Sequence, residues 1–136
     1  YLNALSGNSV HLITVNDYTS GRVFDDAISY AFYPVDLHTK TGVQPKPLKP
    51  GKVPTIPLSA LIPKGSRNII VSGRCVSSDR LANSGLRVQA SCMGMGQAAG
   101  VAATLGAKFG TTPLEVPLTE IHALLREHGL IISGKA

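Results

Sequence analysis

Hydrophobic and polar positions divide the chain into zones, and each zone predicts its own kind of element. Residues 10–15 (VHLITV) form a β-branched run that predicts a strand. Two short apolar pieces follow, at residues 27–32 and 33–37. Residues 39–57 carry Pro45, Pro47, Pro50, Pro54 and Pro57 together with Gly42 and Gly51. Such density fixes φ and removes amide donors, so this zone predicts an extended connector and not an element interior. Residues 68–72 (NIIVS) are short, β-branched and bounded by Gly65 and Gly73, which reads as a buried strand.

After a loop over residues 73–85, residues 86–107 predict one long helix. Met93, Gln97, Gly100 and Thr104 share a side, but the better marker is smallness at Gly94, Gly96, Ala98, Ala99, Gly100, Ala102 and Ala103. A helix-interior Gly costs about 1 kcal/mol against Ala, so a row of small residues predicts another backbone in close approach. Leu118, Ile121, Leu124 and Leu125 then repeat at helical spacing, with Thr119 at an N-cap or first-turn position and Gly129 as the stop. Residues 130–136 read as a tail. There is no internal repeat.

A length of 136 residues suits one domain with a sizeable core. The 43% hydrophobic and 15% charged content marks a globular chain and not a disordered one. The formal net charge of +5 raises the question of nucleic acid, but the basic residues are scattered. Their nearest cluster, Lys46, Lys49 and Lys52, lies between prolines, whereas a nucleic-acid footprint concentrates on one face. Three Phe, four Tyr and no Trp are also thin for a base-stacking platform, so no nucleic-acid partner is expected.

Cys75 and Cys92 form no CxxC, and the four His show no zinc spacing, so no metal site is expected. Cys92 falls in an apolar helical run and reads as a small core residue, with a disulfide left open. No apolar run approaches the roughly 20 residues of a membrane span. Residues 1–7 carry no basic n-region and no signal-peptide core. The chain does not begin with Met, and it is expected to be a fragment or a trimmed piece of a longer protein.

Gly94-Met-Gly96-Gln-Ala-Ala99 satisfies G-x-G-x-x-G/A, with Glu115 downstream. A dinucleotide-binding turn needs a strand running straight into the first glycine and a helix opening there. Here the candidate strand ends near Gly73, and residues 87–93 (RVQASCM) already read as helix. The match is therefore read as spurious.

Another pattern accounts for the same glycines. Ile56 to Pro63, Asn68 to Arg74, Cys75-Val76-Ser77, Arg87-Val88 and Gly96 to Gly100 occur in an order and spacing that resembles the C-terminal region of the FAD-dependent oxidoreductase family. Phe24-Asp25-Asp26-Ala27-Ile28 and Tyr33-Pro34-Val35-Asp36-Leu37-His38 resemble that family's approach to its closing segment. The chain departs from the family where Arg80 or its neighbours replace a usual His. The amino-terminal G-x-G-x-x-G that holds the pyrophosphate is also absent from this chain.

The resemblance implies an α/β fold: the closing strand–helix unit of a Rossmann-like FAD-binding fold, plus a strand-containing piece of the substrate domain. Residues 1–52 would be a partial substrate-domain segment with the proline-rich connector, and residues 53–136 the C-terminal part of the FAD-binding domain. The implied partners are FAD, a small organic substrate (a sugar among the candidates) and the amino-terminal half of the same fold. Gly73 would let the backbone pass close to the cofactor, and Arg74 would pair with a phosphate. The helix opening at Arg87, Val88 and Gln89 would turn free amides toward the flavin.

The resemblance also leads us to expect Gly94, Ala98, Val101, Ala102 and Leu105 to face that amino-terminal half. Asp36 and His38, two apart on a strand, would share a face. They could serve as a substrate-side base or be two exposed polar residues at a strand end. Tyr30 and Tyr33 carry no assignment, and no catalytic residue is named. A competing reading is a non-catalytic module that keeps the fold without the cofactor.

Overall fold

The computed structural model describes residues 8–132; residues 1–7 and the end of the expected tail, 133–136, lie outside the described residues. In chain order it has helix α1 (Val15–Ser20), strands β1 (Ala27–Tyr30), β2 (Val35–Thr39), β3 (Gly42–Lys46) and β4 (Thr55–Pro57), then helices α2 (Arg80–Leu86), α3 (Gln89–Phe109) and α4 (Leu118–Glu127). Short 3-10 turns lie at Leu58–Leu61 and Gly73–Cys75. The strands form two antiparallel pairs, β1 with β4 and β2 with β3. The result is a mix of helices and small antiparallel sheets, α/β in the broad sense.

Residues 10–15 do not form the expected strand. Thr14 and Asp17 make a reciprocal capping box: the Asp17 amide donates to Thr14 Oγ1 at 3.2 Å and the Thr14 amide to Asp17 Oδ2 at 3.0 Å. That closes the run at Val15 and opens α1. Upstream, only isolated bridges remain, Ser9 with Pro63 and Ile13 with Ser78.

The proline-rich zone is also more structured than expected. β3 returns on β2 as a hairpin, with Asp36 opposite Pro45, and β4 pairs with β1. Both strands of a two-stranded sheet are edges, so Pro45 can leave its missing donor on the open side.

Residues 68–72 do not form the expected strand and join neither sheet. Their β-branched pattern suits a strand, but no strand among the described residues lies alongside to pair with it. Its ties to the fold include Val71, whose amide donates to the Leu61 carbonyl at 2.9 Å, while Ile69 stands exposed.

The expected loop over residues 73–85 contains α2, which turns out to organise its surroundings. Asp79 is its N-cap, with Oδ1 accepting from the Ala82 amide at 2.8 Å. The other oxygen, Oδ2, accepts from the Val15 amide at 2.6 Å, so one carboxylate caps both α1 and α2. Buried Ser84 accepts from the Asp36 amide at 3.0 Å and donates to the Leu81 carbonyl at 2.6 Å, which fastens β2 to α2. Gly85 lies against the fully buried Tyr18 ring, whose hydroxyl donates to the Tyr33 carbonyl at 2.8 Å.

α2 ends at Leu86, so the long helix begins at Gln89 and not at 86. Its inner face holds Gly94, Met95, Ala98, Val101, Ala102 and Leu105, all buried. The expectation that this face awaits another half of the fold is corrected, since α3 packs here on this chain's own β1 and α4. Gly94 explains the fit with β1: a Cβ there would lie 2.5 Å from Ser29 Oγ. Gly96 and Gly100 instead face open space. The decoy run at residues 94–99 is thus helix interior, with no strand-to-helix turn.

α4 follows its predicted spacing. Thr119 lies in the first turn after the Pro117 N-cap, and Gly129, at φ 77°, ends the helix region. His122 Nε2 lies 2.7 Å from the Ala27 carbonyl and ties α4 to β1. One buried cluster runs from Ile13 and Tyr18 through Ile56, Leu86 and Met95 to Ile121 and Leu125.

Three outcomes follow from this packing. Gly85→Ala would place a Cβ 2.7 Å from Tyr18 ring atoms, and the overpacking should cost about 1–3 kcal/mol in denaturant unfolding. Asp79→Ala removes two caps worth about 1 kcal/mol each, while Asp79→Asn should recover only one, because its amide nitrogen cannot accept a second bond. Equal stability for the Ala and Asn variants would contradict the double cap.

The third outcome is a titration. Burial pushes the Tyr18 phenol up to about 12. A raised folded value means its contribution to stability is intact below the ordinary pKa of about 10 and is lost as pH rises toward 12. An ultraviolet titration should therefore show one tyrosine ionising late and together with unfolding.

Candidate functional site

The 3-10 turn Gly73–Cys75 and the opening of α3 meet at one corner of the molecule. Gly73 has φ 67°, a left-handed backbone that suits glycine. A Cβ added there would find only Cys92 Cβ and Sγ, each 3.9 Å away. The Gly73 backbone therefore runs beside the first turn of α3 with room around it. Arg74 is exposed and acts on the same cysteine: burial pushes the Cys92 thiol up, and the Arg74 charge offsets part of that rise. At neutral pH Cys92 is a thiol; it is half-buried and packs against the core, instead of lying within it as its apolar helical run leads one to expect. Both cysteines are free.

The opening of α3 is uncapped. Val88 is its N-cap, extended at φ −74° and ψ 154°, and its side chain offers no acceptor. Gln89 and Ala90 follow in the first turn, both exposed. A helix of 21 residues with free first amides presents roughly half a positive charge at that end. Arg87, half-buried, links the C-cap of α2 to Val88 and has no ion-pair partner among the described residues. Exposed Arg74, an uncapped helix end and an unobstructed glycine backbone come together at a corner suited to an anion, with Arg87 two residues ahead of the first turn.

The five residues singled out in the sequence thus gather in one region. Gly73 and Arg74 approach Cys92 of α3, while Arg87, Val88 and Gln89 lead into its first turn. Sequence reasoning missed Cys92 as the contact that joins the two pieces. Its position three residues after Gln89 puts it one turn into the helix, but nothing in the sequence puts Gly73 beside it.

Asp36 and His38 do share a face of β2, with His38 Nε2 3.5 Å from Asp36 Oδ2. They lie on the hairpin and not on the α3 corner, with His38 mostly exposed. Tyr30 ends β1, and the Tyr33 carbonyl is taken by Tyr18. No group of three or more metal-ligating side chains occurs among the described residues, and no helix there is long and apolar enough to cross a membrane.

No solved structure matches this chain. Over 44 residues it is 50% identical to the protein translocase subunit SecA of Onion yellows phytoplasma (strain OY-M). That similarity covers 29% of this chain and only 5% of the length of that relative, so it concerns a short segment. A far longer match, over residues 6–125, is to the family described as FAD dependent oxidoreductase. It takes in the Gly73–Arg74 turn, the whole of α3 and most of α4, and the chain therefore belongs to this oxidoreductase family, whose cofactor is FAD.

Proposed function

We propose that this chain is the C-terminal part of a flavin-dependent oxidoreductase that acts on a small organic substrate, and that the α3 corner is its cofactor contact. FAD supplies hydride transfer when bound, and the protein's share is to hold and tune it. The observation that carries the reading is the Gly73–Arg74 turn set against the uncapped start of α3. The residues present fit the group: a dinucleotide needs backbone amides, cations and a surface without an obstructing side chain, and the corner offers all three.

Gly73 gives the backbone close passage past the phosphate or ribityl portion. Arg74 would supply a cation for a phosphate, through charge-assisted hydrogen bonds. The uncapped amides at Gln89 and beyond, with Arg87 preceding them in the chain, would offer donors and positive charge to the flavin.

In the same reading, residues 53–136 belong to the FAD-binding domain and residues 1–52 to the substrate side. The unpaired run at residues 68–72 supports this assignment, since it has a strand's composition without a partner among the described residues. In a Rossmann-like parent fold it would be the closing strand, paired with a strand contributed from outside this chain.

Two measurements test the proposal. The chain of 136 residues alone should purify colourless and take up FAD only weakly, because a pyrophosphate-cradling G-x-G-x-x-G turn is not part of it. A yellow preparation with one flavin per chain would overturn the division of the fold proposed here. In a flavin-loaded full-length protein, Arg87→Ala should lower the midpoint potential, because the lost cation favours the more negative, reduced state. A helix-end charge effect of about 0.3–1 kcal/mol, set against roughly 30 mV per 1.4 kcal/mol for a two-electron couple, predicts a shift of roughly 5–20 mV. A well-folded variant with unchanged potential and a lowered melting temperature would make Arg87 only the link between α2 and α3.

A further inference from the structure

A concave site lies elsewhere on the molecule and shares no residue with the α3 corner. Residues 32–34 and 47–53 together line a groove of about 480 Å³. That volume is within the roughly 300–1,000 Å³ typical of small-molecule sites. We propose that this groove binds a small aromatic molecule carrying a negative charge.

Phe32 is the first reason. It is 77% exposed, although the chain on its N-terminal side is buried: Ala31 is 1% exposed, and its amide donates to the Pro54 carbonyl at 2.9 Å. On the other side the Tyr33 carbonyl accepts the Tyr18 hydroxyl at 2.8 Å. The backbone is therefore held on both sides of an aromatic ring left in solvent. Together with Tyr33 it forms one wall, offering ring faces and edges to a planar partner.

The other wall is equally fixed. Pro47 and Pro50 lock φ around Leu48, and the Lys52 amide closes a turn onto the Lys49 carbonyl at 3.0 Å. Lys52 packs so closely on Gly21 that a Cβ added there would meet Lys52 Cβ at 2.7 Å.

Charge settles the kind of ligand. Lys49 and Lys52 line the groove, and no Asp or Glu does. Neither lysine has an ion-pair partner among the described residues. An apolar, aromatic-walled groove with two unpaired ammonium groups at its edge is complementary to an aromatic carboxylate or sulfonate, and poorly complementary to a neutral or cationic ligand.

The test uses two fluorescent probes with the same aromatic body, anilinonaphthalene sulfonate and neutral phenylnaphthylamine, on the full chain. The expected result is one sulfonate probe per chain, bound more tightly than the neutral one. Phe32→Ser, at an exposed position that the fold does not need, should weaken both probes. Lys49→Gln with Lys52→Gln should weaken the sulfonate on the order of tenfold, the size of a charge-assisted contact, and leave the neutral probe unchanged. Met93→Ser, on the exposed side of α3, should alter neither.

Unchanged binding in Phe32→Ser overturns the proposal, as does loss caused by Met93→Ser or an equal effect of the lysine changes on both probes. Displacement of the probe by FAD would assign the groove to the cofactor and also overturn it. Because the groove and the α3 corner have no residue in common, a failure here leaves the flavin reading standing, and the reverse holds too.

Discussion

The carboxylate of Asp79 is the constraint on which the arrangement turns. Its two oxygens cap helices that begin 65 positions apart, α1 at Val15 and α2 at Arg80. Neighbouring backbone bonds reinforce the join, from the Ile13 amide to the Ser77 carbonyl and from the Asp79 amide to the Ile13 carbonyl. Two short helices would be marginal alone, because nucleating a turn costs more than a few residues return. Sharing one cap and packing Tyr18 of α1 on Gly85 of α2 makes them a unit. Ser84 then attaches the β2–β3 hairpin to the same unit. The end of α2 fixes where Arg87 and Val88 leave, and hence where α3 starts.

α3 turns this scaffold into a site. Its inner face is buried against β1 and α4, which sets the axis of the helix. Its first turn, by contrast, has no side-chain cap and lies beside Gly73 and Arg74. A helix end without a side-chain cap, with the Arg74 charge beside it, is suited to an anion supplied from outside. Family membership supplies the identity of the cofactor, and the α3 corner is where its contact is proposed.

Legibility in the sequence followed how local the determining forces were. α4 could be read because Ile121 and Leu125 repeat on one face, and the body of α3 could be read from its small-residue run. The Asp36–His38 contact followed from strand alternation alone. α2 was hidden because Asn83, Ser84 and Gly85 are poor helix formers, each kept for a contact or fit that only the tertiary fold reveals. Residues 10–15 look like a strand until Thr14 is seen to pair with Asp17, a capping box with Asp in place of the usual Glu.

The hairpin was obscured by prolines that an edge strand tolerates, and residues 68–72 carry a strand's pattern without a neighbour to complete it. The site residues were legible only as a set of spaced motifs. Nothing in the spacing shows that Gly73 lies beside Cys92, because that contact depends on α2 folding between them. The groove at Phe32 was not legible at all, since it arises from two segments that sequence reading treats as strand end and linker.

The central claim is that the α3 corner contacts the cofactor, and hydrogen exchange on a full-length protein tests it most directly. Amides of residues 73–75 and 89–91 should exchange more slowly in the FAD-loaded protein than in the stripped protein, while those of the β2–β3 hairpin at residues 42–46 stay unchanged. Protection that appears elsewhere and bypasses both segments of the corner would contradict the account.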